Sequence, residues 1–135
     1  MSESILGASL GASKLIAFVP TTQPEQAKEF FQDTLGLRLV ADERPFALVF
    51  DANGTMLRVT AVKEHTPAPF TVLGWQVEAI EAVVERLEKA GVQCIRYPGM
   101  NDGDPHGIWN SPSGTRVAWF HDPDGNVLSV TEFPK

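Results

Sequence analysis

The sequence predicts an α+β fold: two βαβββ modules whose strands form a cupped mixed sheet with the helices on its outer faces. One observation is a repeat. DANGTMLRVT (residues 51–60) and DPDGNVLSVT (residues 122–131) write the same turn and strand twice. A second is that each copy closes a half reading strand, helix, then three strands, so the repeat organises the whole chain. A third is the uneven offset between halves. Gly36 to Gly91 is a step of 55 residues, whereas Asp51 to Asp122 is a step of 71, which places 16 extra residues in the second half.

Residues 1–13, MSESILGASLGAS, hold Glu3, no basic flank, and apolar residues broken by Gly and Ser. They are expected to form a flexible N-terminal arm and not a signal peptide. A single domain over 14–135 follows, as modules 14–63 and 70–133 joined by a linker at 64–69. The apolar run 15–19 is the first strand. Thr22, Gln23, Pro24 and Glu25 have the T-x-x-E spacing of a capping box with Pro in the first turn. Ala27, Phe30, Phe31 and Leu35 then recur at helical spacing, and Gly36 stops the helix. Strands are expected over 37–40, 46–50 and 56–62.

The second module repeats the order. A strand over 70–77 leads to a helix with Ile80, Val83, Val84 and Leu87 on one face and Gly91 at its end. Strands follow at 92–95, 116–120 and 127–133. The extra residues fall within 98–115, which is rich in turn formers. Connections longer than about 12–15 residues are usually functional or disordered. Ile108 and Trp109 make this one too apolar for a solvated loop, so it is read as a flap that docks on something. Asn53-Gly54 and Asp124-Gly125 are hairpin-turn pairs. The Asp-x-Asp-Gly string lacks the length and closing Glu of a calcium loop.

A chain of 135 residues is one domain's worth, and 43% hydrophobic residues suffice for a core. The net charge of -6 argues against nucleic acid or an anionic membrane as partner, since both reward Lys and Arg. No apolar run approaches the roughly 20 residues of a membrane span. Cys94 is the lone cysteine, which rules out an internal disulfide and a Cys-rich zinc site. A reducing, cytoplasmic setting is expected.

With both halves in view, the chain resembles the vicinal oxygen chelate superfamily, which includes glyoxalase I, extradiol dioxygenases and bleomycin-resistance proteins. The resemblance rests on AKEFFQDTLGL (27–37), VAWFHDPDGNVLSVT (117–131) and the paired strand-helix-strand-strand-strand layout. It implies a cup formed by the strands and a homodimer. Strand alternation then sorts the residues. Ile16, Phe18, Met56, Arg58, Thr60, Val72, Gly74, Gln76, Val127, Ser129 and Thr131 should line the cup. Leu57, Val59, Leu128 and Val130 should face the helices.

Metal-dependent members of that superfamily use four inward positions, one on each of these strands. They correspond here to Ile16, Arg58, Val72 and Ser129. Ile and Val have no donor atom, Arg has no free lone pair, and Ser alone is a poor ligand. Their neighbours Leu15, Ala17, Leu57, Val59, Leu73, Leu128 and Val130 are apolar, so a one-residue slip restores nothing. No metal and no cofactor are expected.

What remains is a small-molecule ligand in an apolar cup, touched by Arg58, Ile16, Phe18, Met56, Val72, Gln76, Trp109 and Ser129. A buried guanidinium needs a partner. Arg58 would pair either with a ligand anion or with a protein carboxylate such as Glu132 or Asp104. Trp109 in the flap would cover a ligand, whereas Trp119 reads as packing. His65 lies in the linker, His121 flanks the repeated turn, and His106 sits by Asp102 and Asp104 in what reads as a solvated acidic loop. Cys94 reads as a small buried hydrophobe. Two functions stay open: a binding protein without chemistry, or a lyase, isomerase or dioxygenase-like enzyme with no catalytic residue yet assignable.

Overall fold

Alternation sorts the strands of the computed structural model, which describes residues 9–135, onto a helix-covered face and an open face. β1 (Ile16–Thr21), β2 (Arg38–Glu43), β3 (Ala47–Ala52) and β4 (Thr55–Ala61) make one mixed sheet in the order β1-β4-β3-β2. β5 (Thr71–Gln76), β6 (Trp109–Asn110), β7 (Arg116–His121) and β8 (Val127–Glu132) make its counterpart, ordered β5-β8-β7-β6. In each, the first strand runs parallel to the last and the other pairs are antiparallel. The edge strands β1 and β5 adjoin. Two helices, α1 (Pro24–Glu29) and α2 (Ile80–Lys89), follow β1 and β5. The α+β two-module fold expected from the repeat is the fold observed.

On the helix side, Leu48, Phe50, Leu57 and Val59 of the first sheet are buried with Ala118, Phe120, Leu128 and Val130 of the second. A single core serves both halves, and the end of α1 explains how. Its last turn widens into a π-helical segment, Phe30–Thr34, in which the Leu35 amide donates to the Phe30 carbonyl at 2.9 Å. The consecutive residues Phe30 and Phe31 are both buried there. Phe31 meets Phe50 of β3 at 5.8 Å between ring centroids, while Phe30 meets Phe120 of β7 at 6.4 Å. The two rings also sit edge-to-face with each other at 5.4 Å. Gly36 and Gly91, at φ +78° and +87°, end the two helices at equivalent places in the repeat.

The capping box is not formed. Gln23 holds the N-cap position without a side-chain cap, and Thr22 turns to the other half of the chain. Its amide and hydroxyl donate to Oδ1 of Asp124 at 2.7 and 2.8 Å, and the Thr21 hydroxyl donates to Oδ2 of the same carboxylate. Glu25 is engaged by Arg44 at 2.6 Å, and the charged carboxylate of Asp124 takes the Thr22 amide in its stead. Burial pulls the Asp124 carboxyl upward in pKa, but the Thr21 and Thr22 donors outweigh it and hold the group below 3.8.

Around this contact the turn is rigid. Asp122, buried, accepts the amides of Asp124 and Asn126 and the Asn126 side chain, each at 2.9 Å. Asn126 in turn donates to the Pro20 carbonyl at 3.1 Å, and the Gln23 side chain donates to the Pro123 carbonyl at 3.0 Å. His65 of the linker reaches Asn126 Oδ1 at 2.6 Å. The repeated turn of the second half is thus a staple onto the start of α1.

One expected strand is absent. Residues 92–95 form no strand, although the Ile95 amide reaches the Trp119 carbonyl at 2.7 Å. The next stretch of that β7 edge, at Arg116 and Val117, is taken by β6 inside the inserted segment. Two pieces of chain share one edge, and neither is long. At the N-terminus, Leu10–Ala12 form a 3-10 turn capped by Ser9. The expectation of a flexible arm falls otherwise on residues 1–8, which lie outside the described residues. Among the described residues no helix is long and apolar enough to cross a membrane.

Candidate functional site

The residues that alternate with the core make the open face. Strand register sets Ile16 beside Met56, Phe18 beside Arg58, and Arg58 beside Val49. Ile16, Phe18 and Met56 are 45, 61 and 41% exposed, and Val72 across the β1–β5 boundary is 40% exposed. Large apolar side chains held by strands yet left uncovered mark a contact surface.

Arg58 stands among them with a partner the sequence did not single out. Its Nη2 donates to Glu43 Oε1 at 3.0 Å; neither Glu132 nor Asp104 takes it. Glu132 is occupied elsewhere, accepting the Ile80 amide at 3.0 Å and facing Arg116 at 3.7 Å. Register decides the choice: Glu43 pairs with Ala47 and Ala47 with Thr60, which puts Glu43 on the face that carries Arg58. Both side chains are partly exposed, so the pair contributes roughly 0–1 kcal/mol. It uses one of the guanidinium's five donors.

On the second sheet, Ser129 lies between Gly74 and Trp119. A Cβ built on Gly74 would stand 2.6 Å from Ser129 Oγ, so the strand fits there because the residue has none. Val72 is the extra residue of a bulge between Thr71 and Leu73, where strict alternation lapses. Gln76 is exposed beside Thr131.

Trp119 packs against Trp109 and Tyr97, on the open face and not in the core. Its neighbours Ala118 and Phe120 are the buried residues of β7, and register puts Trp119 on the open face with Ser129. Trp109 of β6 pairs with Val117 on that same face. The Trp119 ring lies 6.1 Å from Trp109 and 5.2 Å from Tyr97, the latter edge-to-face. Tyr97 was missed from sequence; the alternation of β7 was the signal for Trp119.

The inserted segment is docked on its own module. Ile108 is buried in the core. Asn101, 1% exposed, accepts the Tyr97 amide at 2.7 Å and donates to the carbonyls of Ile95 and Gly107 at 2.9 and 2.7 Å. Arg96 donates to the carbonyls of Asn101, Asp102, Asp104 and Pro105. Asp104 is tied down rather than solvated: it accepts the amides of His106 and Ile108 at 2.9 Å each. His106 turns toward α2, 3.3 Å from Glu88 and 4.0 Å from Glu85. Burial pushes the Cys94 thiol up to about 11, which leaves it unreactive at neutral pH.

The donor chemistry of the four family metal positions does not fit a divalent ion. Ile16 and Val72 offer none, Arg58 brings a cation bonded to Glu43, and Ser129 stands alone. Among the described residues no three His, Cys, Asp or Glu side chains converge in a metal-binding arrangement.

Comparison with known proteins gives a consistent frame. The family model described as Glyoxalase/Bleomycin resistance protein/Dioxygenase superfamily matches residues 15–130. Among solved structures, TnmS3, an antibiotic binding protein from Streptomyces sp. CB03234, is 27% identical at a TM-score of 0.67, over 90% of this chain and 96% of that one. A glyoxalase / bleomycin resistance protein from Catenulispora Acidiphila DSM 44928 is 20% identical at a TM-score of 0.67, over 90% and 98%. Lactoylglutathione lyase from Agrobacterium tumefaciens shares the fold at 15% identity and a TM-score of 0.71, over 92% and 96%. No curated protein sequence matches.

Proposed function

Because the chain belongs to the Glyoxalase/Bleomycin resistance protein/Dioxygenase superfamily, we propose that it is a metal-free binding protein that holds a flat, apolar small molecule on its open face. The observation that carries this reading is the composition of that face. That face carries exposed Ile16, Phe18 and Met56 around Arg58 on the first sheet, Val72 on the adjoining strand β5, and the Trp109–Trp119–Tyr97 group toward the far edge of the second sheet. Aromatic walls and a few placed polar groups are the usual make-up of small-molecule sites. The resemblance to TnmS3, whose description is antibiotic binding, supports the same class.

Arg58 is the anion anchor, its remaining donors directed to a ligand carboxylate or enolate. A second copy of the chain covers the rest of the apolar surface, as a homodimer. The lone Cys94 supports a cytoplasmic setting, and the net charge of -6 argues against nucleic acid as a partner.

Titration with 2-naphthoate, followed by tryptophan fluorescence, tests this. Saturable quenching is expected, weakened about tenfold by Arg58→Met and about tenfold by Trp119→Ala, with the neutral 2-naphthamide indifferent to Arg58→Met. Equal binding to wild type and Arg58→Met would remove Arg58 from the site. Elemental analysis of the purified protein is expected to find no stoichiometric transition metal; one ion per chain retained through dialysis would overturn the metal-free reading. The alternative is a lyase, isomerase or dioxygenase-like enzyme, for which Glu43 beside Arg58 would be the base. Turnover of a bound compound, abolished by Glu43→Gln, would establish it instead.

A further inference from the structure

A second hollow lies between the end of the α1 segment and α2. The turn that ends the α1 segment, at Asp33 and Leu35, faces α2, at Arg86 and Leu87, across the end of β5. Trp75 of β5 and Phe120 of β7 are also part of its lining, and the volume is about 760 Å³. This lies within the roughly 300–1,000 Å³ of small-molecule sites. Gln76, exposed beside Thr131, also lines it, while Phe120 and Leu87 reach it from the core.

Its charges are the informative part. Asp33, from the first module, and Arg86, from the second, line the same hollow, and neither enters an ion pair among the described residues. Both side chains reach solvent, so neither needs a partner for stability. A ligand with one charge would satisfy one of them and meet its own sign at the other. A ligand carrying an ammonium and a carboxylate on an apolar body matches both charges and the Trp75, Leu35, Leu87 and Phe120 walls.

We propose that the groove between α1 and α2 binds a zwitterionic, peptide-like small molecule with an aromatic or branched side chain, its ammonium at Asp33 and its carboxylate at Arg86. The proposal does not rest on Arg58 or on the exposed residues Ile16, Phe18, Met56 and Val72, none of which lines the groove.

The test is an amide-shift NMR titration with the dipeptide L-leucyl-L-phenylalanine, its N-acetyl form and its C-terminal amide. Saturable shifts are expected in residues 33–37, 75–77 and 83–90. Acetylation and amidation should each weaken binding about tenfold, the loss of one charge-assisted contact. Asp33→Asn should erase the difference between free and acetylated peptide, and Arg86→Met the difference between free and amidated peptide. Both residues are exposed, so both variants should fold. Absence of saturable shifts into the millimolar range would overturn the proposal, as would shifts confined to residues of the open face. So would charge effects that persist unchanged in the two variants. Shifts in residues 33–37 and 83–90 that grow with protein concentration alone would assign the groove to a second copy and overturn it too.

Discussion

Replacing Asp124 with Ala should lower the stability of the whole chain by about 3 kcal/mol, from the loss of bonds to a charged acceptor at about 1.5–3 kcal/mol each, summed with heavy non-additivity. The carboxylate accepts from the Thr21 hydroxyl and from the amide and hydroxyl of Thr22. Thr21 is 1% exposed, so its hydroxyl would keep the Gln23 amide as a donor but lose its own buried acceptor. Asp124→Asn keeps one carbonyl acceptor and should cost less, about 1–2 kcal/mol. Urea denaturation measures both, and a loss well under 1 kcal/mol for the Ala variant would show that the staple is incidental.

The same carboxylate sets an acid response. Its folded pKa lies below 3.8, so its contribution is fully present above that value and is lost as pH falls through the folded pKa. The stability difference between wild type and Asp124→Ala should therefore close on acidification. Asp122 acts in the opposite sense, since burial raises its folded pKa above 3.8. The Asp124 charge is one cause of that rise, so the difference curve reports Asp124 together with its effect on Asp122.

Asn101→Ala should open the inserted segment while leaving the two sheets folded, at a cost of about 3 kcal/mol. Three neutral hydrogen bonds at about 1 kcal/mol each are removed, and the carbonyls of Ile95 and Gly107 lose a buried donor. Hydrogen exchange should accelerate over residues 96–108 and spare β3 and β4. Trp109, next in the chain and 6.1 Å from Trp119, should change its fluorescence. Uniform acceleration across both sheets would show that the segment is part of the global fold and not a separate unit.

How much of this was legible beforehand follows the range of each interaction. The face of β4 was readable, because Leu57 and Val59 against Met56 and Arg58 are a period-two pattern held within one strand, whereas in β8 Val127 and Ser129, expected to line the cup, are buried like Leu128 and Val130. Gly36 and Gly91 were readable as helix stops for the same local reason. Thr22 was misread because its partner lies 102 residues away and only the folded chain brings the competing carboxylate to it. Arg58 had several acidic candidates, and register, which no local pattern fixes, chose Glu43. The strand at 92–95 had the right residues for an edge, but β6 took the adjoining part of that edge.

The two copies of the turn have parted company. In the first, Asp51 accepts the amide of Gly54 at 3.0 Å and holds its own loop closed. In the second, Asp122 does that work, which frees Asp124 to reach the opposite half. A duplicated unit begins as two interchangeable parts, either of which a lineage can discard. Once one copy holds the residues that lead into the other's helix, neither can be shed alone, and the repeat becomes a ratchet.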